Sequence, residues 1–355
     1  MNDTIERLWA ALVEHREGRA WRSARCTLAG NRRPWQGTGL RLAQGQAYSI
    51  LADGRVHWSE RHPHLHGGPG FHLYARVSPD GRLVNVTRTS GSFVADVAGE
   101  LELGIYLGMW RDDYGGLDTP DSAYARLRGD IDVVVLAWPG AAVRGLATLA
   151  AELDDPLLQV EAARAAAPVA PPRGWDYLVE TGTSDIWQAC DEQAPRICLH
   201  AVDDQGIIRK PLDFELQPGT QLQWRWRLDE HPSGAPEDSR LAHDYVSIAL
   251  EFDDGRDLTW LWSSCLPVET WFACPVKAWS ARETHYVVRS GLQRRGTWVS
   301  EQRDVHADVA RALGTVPCRI VACWLIAVAS FQHGTARAAF EDIVLAAGTT
   351  RQVVL

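Results

Sequence analysis

Residues 221–229 read Gln221-Leu222-Gln223-Trp224-Arg225-Trp226-Arg227-Leu228-Asp229. In an extended chain this alternation puts Leu222, Trp224, Trp226 and Leu228 on one side and the polar residues on the other, the signature of a half-buried strand. The same period of two recurs at 243–252, where Val246, Ile248, Leu250 and Phe252 oppose Tyr245, Ser247, Ala249 and Glu251. It recurs again at 257–263, where Leu258, Trp260 and Trp262 lie together. Strands with one apolar and one polar side stack into a sandwich. If 221–229 and 243–252 are neighbours, Arg225 and Arg227 share a surface with Tyr245 and Glu251.

Outward from these segments the chain reads mostly as strands. Asp53-Gly54, Asp80-Gly81 and Asp254-Gly255 sit between alternating apolar runs, the signal for tight hairpins. Further strands are expected at 46–52, 71–77, 83–88, 92–97, 100–107 and 131–137, then at 176–180, 197–202, 284–289, 320–329 and 338–345. Ile5, Leu8, Trp9, Leu12 and Val13 follow helical spacing, so 1–18 is an N-terminal helix with Gly18 as its stop. Leu146, Leu149 and Leu153 mark a second helix, and Pro156 opens a third that runs to Ala167 before Pro168, Pro171 and Pro172 enforce an extended stretch. A short helix fits 305–313, with Asp304 as N-cap and Gly314 after its end. The expected fold is all-β: two antiparallel, jelly-roll-like sandwich domains at 19–140 and 173–355, joined by a helical and proline-rich linker at 141–172.

Composition narrows the function. With 355 residues, 46% apolar and 23% charged, the chain has the profile of a globular protein with a core large enough to need no staple. Its net charge of −9 comes without a compensating Lys/Arg cluster, which excludes binding to a phosphate backbone by charge alone. Lys210 and Lys277 are the only lysines, so arginine carries nearly all positive charge, and arginine suits bidentate recognition. No secretory leader and no run of 18 apolar residues is visible, so a cytoplasmic protein with no membrane association is expected. Seven cysteines without a CxxC pair read as reduced thiols; Cys190 with Cys198, or Cys318 with Cys323, bond only if strands bring them together.

Several runs look familiar. His243-Asp244-Tyr245, Glu251-Phe252-Asp253-Asp254-Gly255-Arg256, Leu261-Trp262-Ser263-Ser264, Val288-Arg289-Ser290-Gly291 and Phe340-Glu341-Asp342-Ile343 resemble the bacterial family known as domain of unknown function 3047. That resemblance covers roughly 173–345 and implies a jelly-roll related to carbohydrate-binding modules. In the first half, Trp35-Gln36-Gly37-Thr38-Gly39-Leu40 and Ser92-Phe93-Val94-Ala95 before Gly99-Glu100-Leu101 more weakly resemble the sandwich of galactophilic bacterial lectins. Where those lectins hold calcium, Trp110 to Gly116 keeps aspartates but inserts Arg111 and lacks an asparagine pair.

Three groups of residues are candidates for chemistry. His62, His64 and His66 alternate, so an extended backbone would aim three imidazoles one way as a divalent-metal site, although Pro63 and Gly67-Gly68-Pro69-Gly70 favour a loop. His243, Asp244 and His333 are the acid–base candidates; His243 and Asp244 are adjacent and cannot pair with each other on a regular strand. The third group is aromatic. Ten of the 16 tryptophans follow residue 172, and indoles with a few directed polar groups hold small ligands. Arg225, Arg227, Tyr245, Glu251, Trp262, Trp271, His285, Arg289, Trp298 and Trp324 are the expected ligand-binding set. No nucleotide, nicotinamide or flavin motif occurs, so no organic cofactor is expected. Two functions compete: binding of a saccharide or similar small organic ligand in a concavity of the C-terminal domain, or a cofactor-independent lyase, hydrolase or cyclase at the same place. A homo-oligomeric scaffold is a third option.

Overall fold

The computed structural model describes residues 3–86, 88–107, 110–117, 119–178, 185–190 and 195–355. The ends of the expected strands 83–88 and 176–180 lie partly outside these residues. The chain divides into two units, Met1–Val169 and Ala170–Leu355.

The first unit is a sandwich of two four-stranded sheets. One runs in the order Arg22–Ala29, Asp130–Ala137, Ala47–Gly54, Ser90–Val94, the other Gln36–Leu42, Gly99–Ile105, Leu73–Ser78, Val84–Asn85. Tyr48, Ile50, Val77, Leu101, Leu103 and Val133 fill the space between them. Asp130–Ala137 is apolar on both sides for a reason: its other face, Val134 and Leu136, is covered by Ile5 and Leu8 of the N-terminal helix and by Leu146 and Leu149 of the helix Ala142–Glu152. The helical segment between the two sandwiches is thus also a layer of the first. In the next helix, Pro156–Ala166, buried Glu161 accepts hydrogen bonds from Ser90 (2.8 Å) and Ser92 (2.6 Å).

The turn signals divide. Asp80-Gly81 lies between the paired strands Leu73–Ser78 and Val84–Asn85, and Asp254-Gly255 joins Tyr245–Phe252 to Asp257–Ser263, with Gly255 at φ +82°. Asp53-Gly54 does not turn back: both residues stay in their strand, opposite Asp132 and Ile131. Glycine is required there by close approach, since a Cβ on Gly54 would lie 2.3 Å from the Asp130 carbonyl.

The second unit is the larger sandwich. Its seven-stranded sheet has the order Asp176–Tyr177, Gln205–Glu215, Arg319–Val328, Tyr245–Phe252, Asp257–Ser263, Glu283–Ser290, Trp271–Ala273. The facing sheet contains Trp187–Ala189, Arg196–Val202, Thr335–Ala347, Gln221–Glu230 and Val299–Asp304, with Thr350–Val353 pairing Thr335–Ala347. Strand parity is as expected: Trp224, Trp226, Ile248, Leu250, Trp260 and Trp262 meet in one core. Sheet membership is not. Gln221–Glu230 and Tyr245–Phe252 belong to different sheets, so Arg225 and Arg227 lie on the outer face of one while Tyr245 and Glu251 lie on the outer face of the other. The helix Val305–Ala312 is capped by Asp304, whose carboxylate accepts from the Ala307 amide at 2.9 Å.

A second departure concerns sulfur. Cys190 and Cys198 are disulfide-bonded, because the antiparallel pairing of Trp187–Ala189 with Arg196–Val202 brings their Cα atoms to 5.6 Å. Cys318 and Cys323 remain free thiols.

Packing gives a direct test. Trp226 contacts Trp224 and Trp262 at ring-centroid distances of 5.5 Å and donates its indole N–H to Glu301 at 3.1 Å. Trp226→Ala is expected to destabilise the protein by about 3–5 kcal/mol in a denaturant titration, as large-to-small core changes do. Arg225→Ala on the outer face is expected to cost less than about 1 kcal/mol, the ordinary value of a half-exposed ion pair.

Candidate functional site

One pairing in the second unit is parallel: Asp257–Ser263 runs alongside Glu283–Ser290, with Asp257 opposite Glu283 and Thr259 opposite His285. Parallel neighbours need a crossover, and residues 264–282 supply it. Within this segment Trp271–Ala273 forms the edge strand beside Glu283–Ser290, and the parts before and after it turn onto the outer face of the seven-stranded sheet. Leu266, Phe272 and Trp279 pack there against a cluster that includes Leu261, Val287 and Trp324. The outer face is therefore covered, and its polar side chains are sealed beneath.

Those side chains form a compact group. His243, Cys274, Glu283 and His285 each offer one donor atom, and these four atoms lie within 4.8 Å of one another. None of the four residues is more than 4% exposed. The Cys274 Sγ is 3.7 Å from His243 Nε2, and His285 Nε2 is 3.4 Å from Glu283 Oε2. The other carboxylate oxygen, Glu283 Oε1, accepts from the Tyr245 hydroxyl at 3.1 Å. His243 Nδ1 faces the Glu237 carbonyl at 3.3 Å. The buried Glu237 side chain anchors that loop to the sheet end by accepting from the Ser264 amide at 2.8 Å and from the Ser263 hydroxyl. The Phe272 ring lies flat on His285, 5.1 Å away at 9°. Neither ring nitrogen of His285 completes a hydrogen bond.

Electrostatics follow from burial. Desolvation, reinforced by the neighbouring His285, lowers His243 to about 4, which leaves its imidazole neutral near pH 7. Desolvation and the Glu283 charge push the Cys274 thiol up, so this cysteine is no free nucleophile. Burial works against the Glu283 carboxylate, yet the imidazoles of His285 and His243 hold it below the usual glutamate range. Asp257, beneath it, is pushed well above the carboxylate range by burial and by the Glu283 charge.

The expected site residues go to several places. His243, Tyr245 and His285 are part of the buried group. Glu251 and Trp324 share the same sheet face: Glu251 accepts from the Trp324 indole (3.1 Å) and from Arg209 (2.9 Å), and the Arg282 guanidinium lies over the Trp324 ring. Asp244 points elsewhere, accepting from the amides of Phe331 (2.9 Å) and Gln332 (2.7 Å), so it shapes a turn. His333 bonds Asp203 at 2.7 Å. The three acid–base candidates thus face three different sets of partners. Arg225, Arg227 and Trp298 lie on the other sheet, with both guanidiniums 5.5 Å from the Trp298 ring. Trp262 is core and donates to the Gly291 carbonyl, and Arg289 pairs with Glu301 at 2.6 Å.

The histidine loop of the first unit does not converge. A turn closed by the Leu65 amide on the His62 carbonyl (3.0 Å) replaces the extended backbone that would align His62, His64 and His66. His62 and His64 are exposed, while His66 pairs with His57 across a two-stranded ladder. Among the described residues, the only group of three or more donors able to share a metal ion is that of the second unit. Two of its members, Cys274 and Glu283, were not expected. Glu283-Thr284-His285 carries a signal for one of them, since residues two apart on a strand share a face; Cys274, in the crossover, has none.

Trp271 stands apart. It is 45% exposed, the one tryptophan among the exposed large apolar side chains of the described residues. Its ring stacks on Tyr286 at 6.1 Å and 19°. Tyr286 donates to Glu269 at 2.5 Å, and Glu269 also accepts from Arg303 and Arg311, both at 2.7 Å. Glu269 occupies the left-handed region, φ +68°, a conformation held by its surroundings rather than preferred. Hydrogen bonds from Arg303, then from Tyr286, with the charges of Arg303 and Arg311, lower its carboxyl from 4.5 to about 2. A depressed acid stabilises the fold above its unfolded pKa and loses that contribution as pH falls through the folded one. Glu269→Gln is expected to flatten the loss of stability between about pH 4.5 and 2 in acid titrations followed by circular dichroism.

Residues 179–344 match the family described as protein of unknown function (DUF3047), the one that the C-terminal motifs resemble. No curated protein matches the chain. Similar solved structures include the N-terminal domain of EclA, a PllA-like lectin, at 16% identity over 32% of this chain and 96% of that one, TM-score 0.25. The xyloglucanase domain of NopAA, a type three effector from Sinorhizobium fredii in complex with cellobiose, is 9% identical over 50% of this chain and 100% of its own, TM-score 0.31. Carbohydrate-binding modules of the β-sandwich superfamily are 10% identical over 91% and 98%, TM-score 0.20. Among the described residues, no helix is long and apolar enough to cross a membrane.

Proposed function

We propose that the C-terminal sandwich binds a small organic ligand, with saccharides the favoured class, and that the contact is made at Trp271 rather than in a broad concavity. The observation that carries this reading is an exposed indole stacked on a buried tyrosine whose hydroxyl donates to the ionised Glu269. The apolar face of a sugar ring stacks on such an indole. Glu269 accepts from hydroxyls and Arg311, half exposed beside it, donates to them. Rigid backing by Tyr286 and the Glu269 ion pairs lowers the ordering cost of binding.

The catalytic alternative has one observation in its favour. Tyr245, Glu283 and His285 are titratable groups within hydrogen-bonding reach, the minimum for acid–base chemistry. Their burial under the crossover favours binding over turnover. Titration of galactose, cellobiose and longer oligosaccharides, followed by tryptophan fluorescence and ligand-observed NMR, tests the proposal. A saccharide that shifts the signal should bind Trp271→Ala about tenfold or more weakly, while Trp298→Ala leaves binding unchanged. Equal binding to wild type and Trp271→Ala would overturn it.

A further inference from the structure

From the buried group on the seven-stranded sheet we infer that His243, Cys274, Glu283 and His285 form a four-ligand transition-metal site, with zinc the best-matched ion. Geometry is the first argument. Around a tetrahedral zinc with ordinary bond lengths, a nitrogen and an oxygen ligand are about 3.4 Å apart and a sulfur and a nitrogen about 3.6 Å. The His285–Glu283 separation is 3.4 Å and the Cys274–His243 separation 3.7 Å. Two of the six donor–donor separations thus match the edges of one coordination shell, and all four donors lie within 4.8 Å of one another.

Charge is the second argument. A thiolate and a carboxylate balance a dication, and two neutral imidazoles complete the shell, so the loaded site carries no net charge into the interior. Third, His285 is fully buried, yet neither of its ring nitrogens has a complete hydrogen bond. An interior imidazole whose Nε2 has only a long contact with a carboxylate, 3.4 Å to Glu283, and whose Nδ1 completes no bond is costly, and a metal ion lowers that cost.

The supporting contacts fit the same assignment. The Glu237 carbonyl opposite His243 Nδ1 favours the tautomer whose Nε2 lone pair faces the group. The Tyr245 hydroxyl orients Glu283, and the Phe272 ring fixes the plane of His285. Partners of this kind position metal ligands. Four protein donors and burial throughout define a closed, structural site rather than one with an open catalytic position. The ion would tie Cys274 of the crossover and His243 of the loop before Tyr245–Phe252 to Glu283 and His285 on one strand. The thiol proton leaves to solvent as the ion binds.

The full chain, purified without chelator, should retain about one zinc per chain by mass spectrometry of metals, and chelation should lower its melting temperature. Cobalt(II) added to the stripped protein should give the visible bands of a tetrahedral ion together with a thiolate charge-transfer band. Cys274→Ser should lose the charge-transfer band, His285→Ala should lose metal, and Tyr245→Phe should weaken zinc binding about 10- to 100-fold. Cys265→Ser and His64→Ala should change nothing. The wild-type spectrum needs no variant to fold: no retained zinc together with no tetrahedral cobalt spectrum overturns the inference. A thiolate band that survives Cys274→Ser or disappears with Cys265→Ser overturns it equally. The saccharide proposal rests on other residues and is untouched by either result.

Discussion

Two strands running the same way determine what the C-terminal unit can do. Asp257–Ser263 and Glu283–Ser290 are parallel neighbours, and a chain that leaves one end of a strand must travel back before it can start the next. The return path is 264–282. It buries Leu266, Phe272 and Trp279 on a sheet face that would otherwise meet water, and it carries Cys274 to the two imidazoles and the carboxylate. The last part of that path is itself an antiparallel pairing, Trp271–Ala273 with Glu283–Ser290, and it sets the Cys274 amide on the Glu283 carbonyl at 2.9 Å.

The sealed face explains an otherwise unfavourable composition. A sheet buried on both sides is normally apolar throughout, yet Asp257, Thr259, Glu283 and His285 are all buried there. Each such group costs stability unless it is satisfied. Tyr245 on Glu283 and Thr259 on Asp257 settle part of the account. His285 is left over, and the metal assignment resolves it with the ligands already at hand.

Much of this was legible in the sequence. Period two in 221–229, 243–252 and 257–263 identifies which residues enter the core, because the alternation is a local property of each strand. Asp254-Gly255 marks a real hairpin for the same reason. What local pattern cannot give is which strand lies beside which. Arg225 and Tyr245 were expected on one surface and lie on two, since Gln221–Glu230 pairs with Thr335–Ala347 and Val299–Asp304 while Tyr245–Phe252 pairs with Asp257–Ser263 and Arg319–Val328. Histidine spacing misleads in the same way: His62, His64 and His66 look aligned, but the first two sit on a turn and His66 on a short ladder, whereas His243 and His285, 42 positions apart in the chain, have rings 5.1 Å apart. The Cys190–Cys198 bond likewise depends on a strand pairing that spacing alone leaves open.

The 264–282 return path also separates two kinds of change. The inner core, with its interlocked indoles, tolerates little alteration, but the crossover touches the sheet through Leu266, Trp279 and its edge strand Trp271–Ala273, paired with Glu283–Ser290. Rewriting its sequence would re-floor the outer face, exchanging the thiol or the phenyl for other groups, while the scaffold beneath kept its shape. Diversification in proteins built on this plan would then be concentrated in one replaceable cover rather than spread across the sandwich.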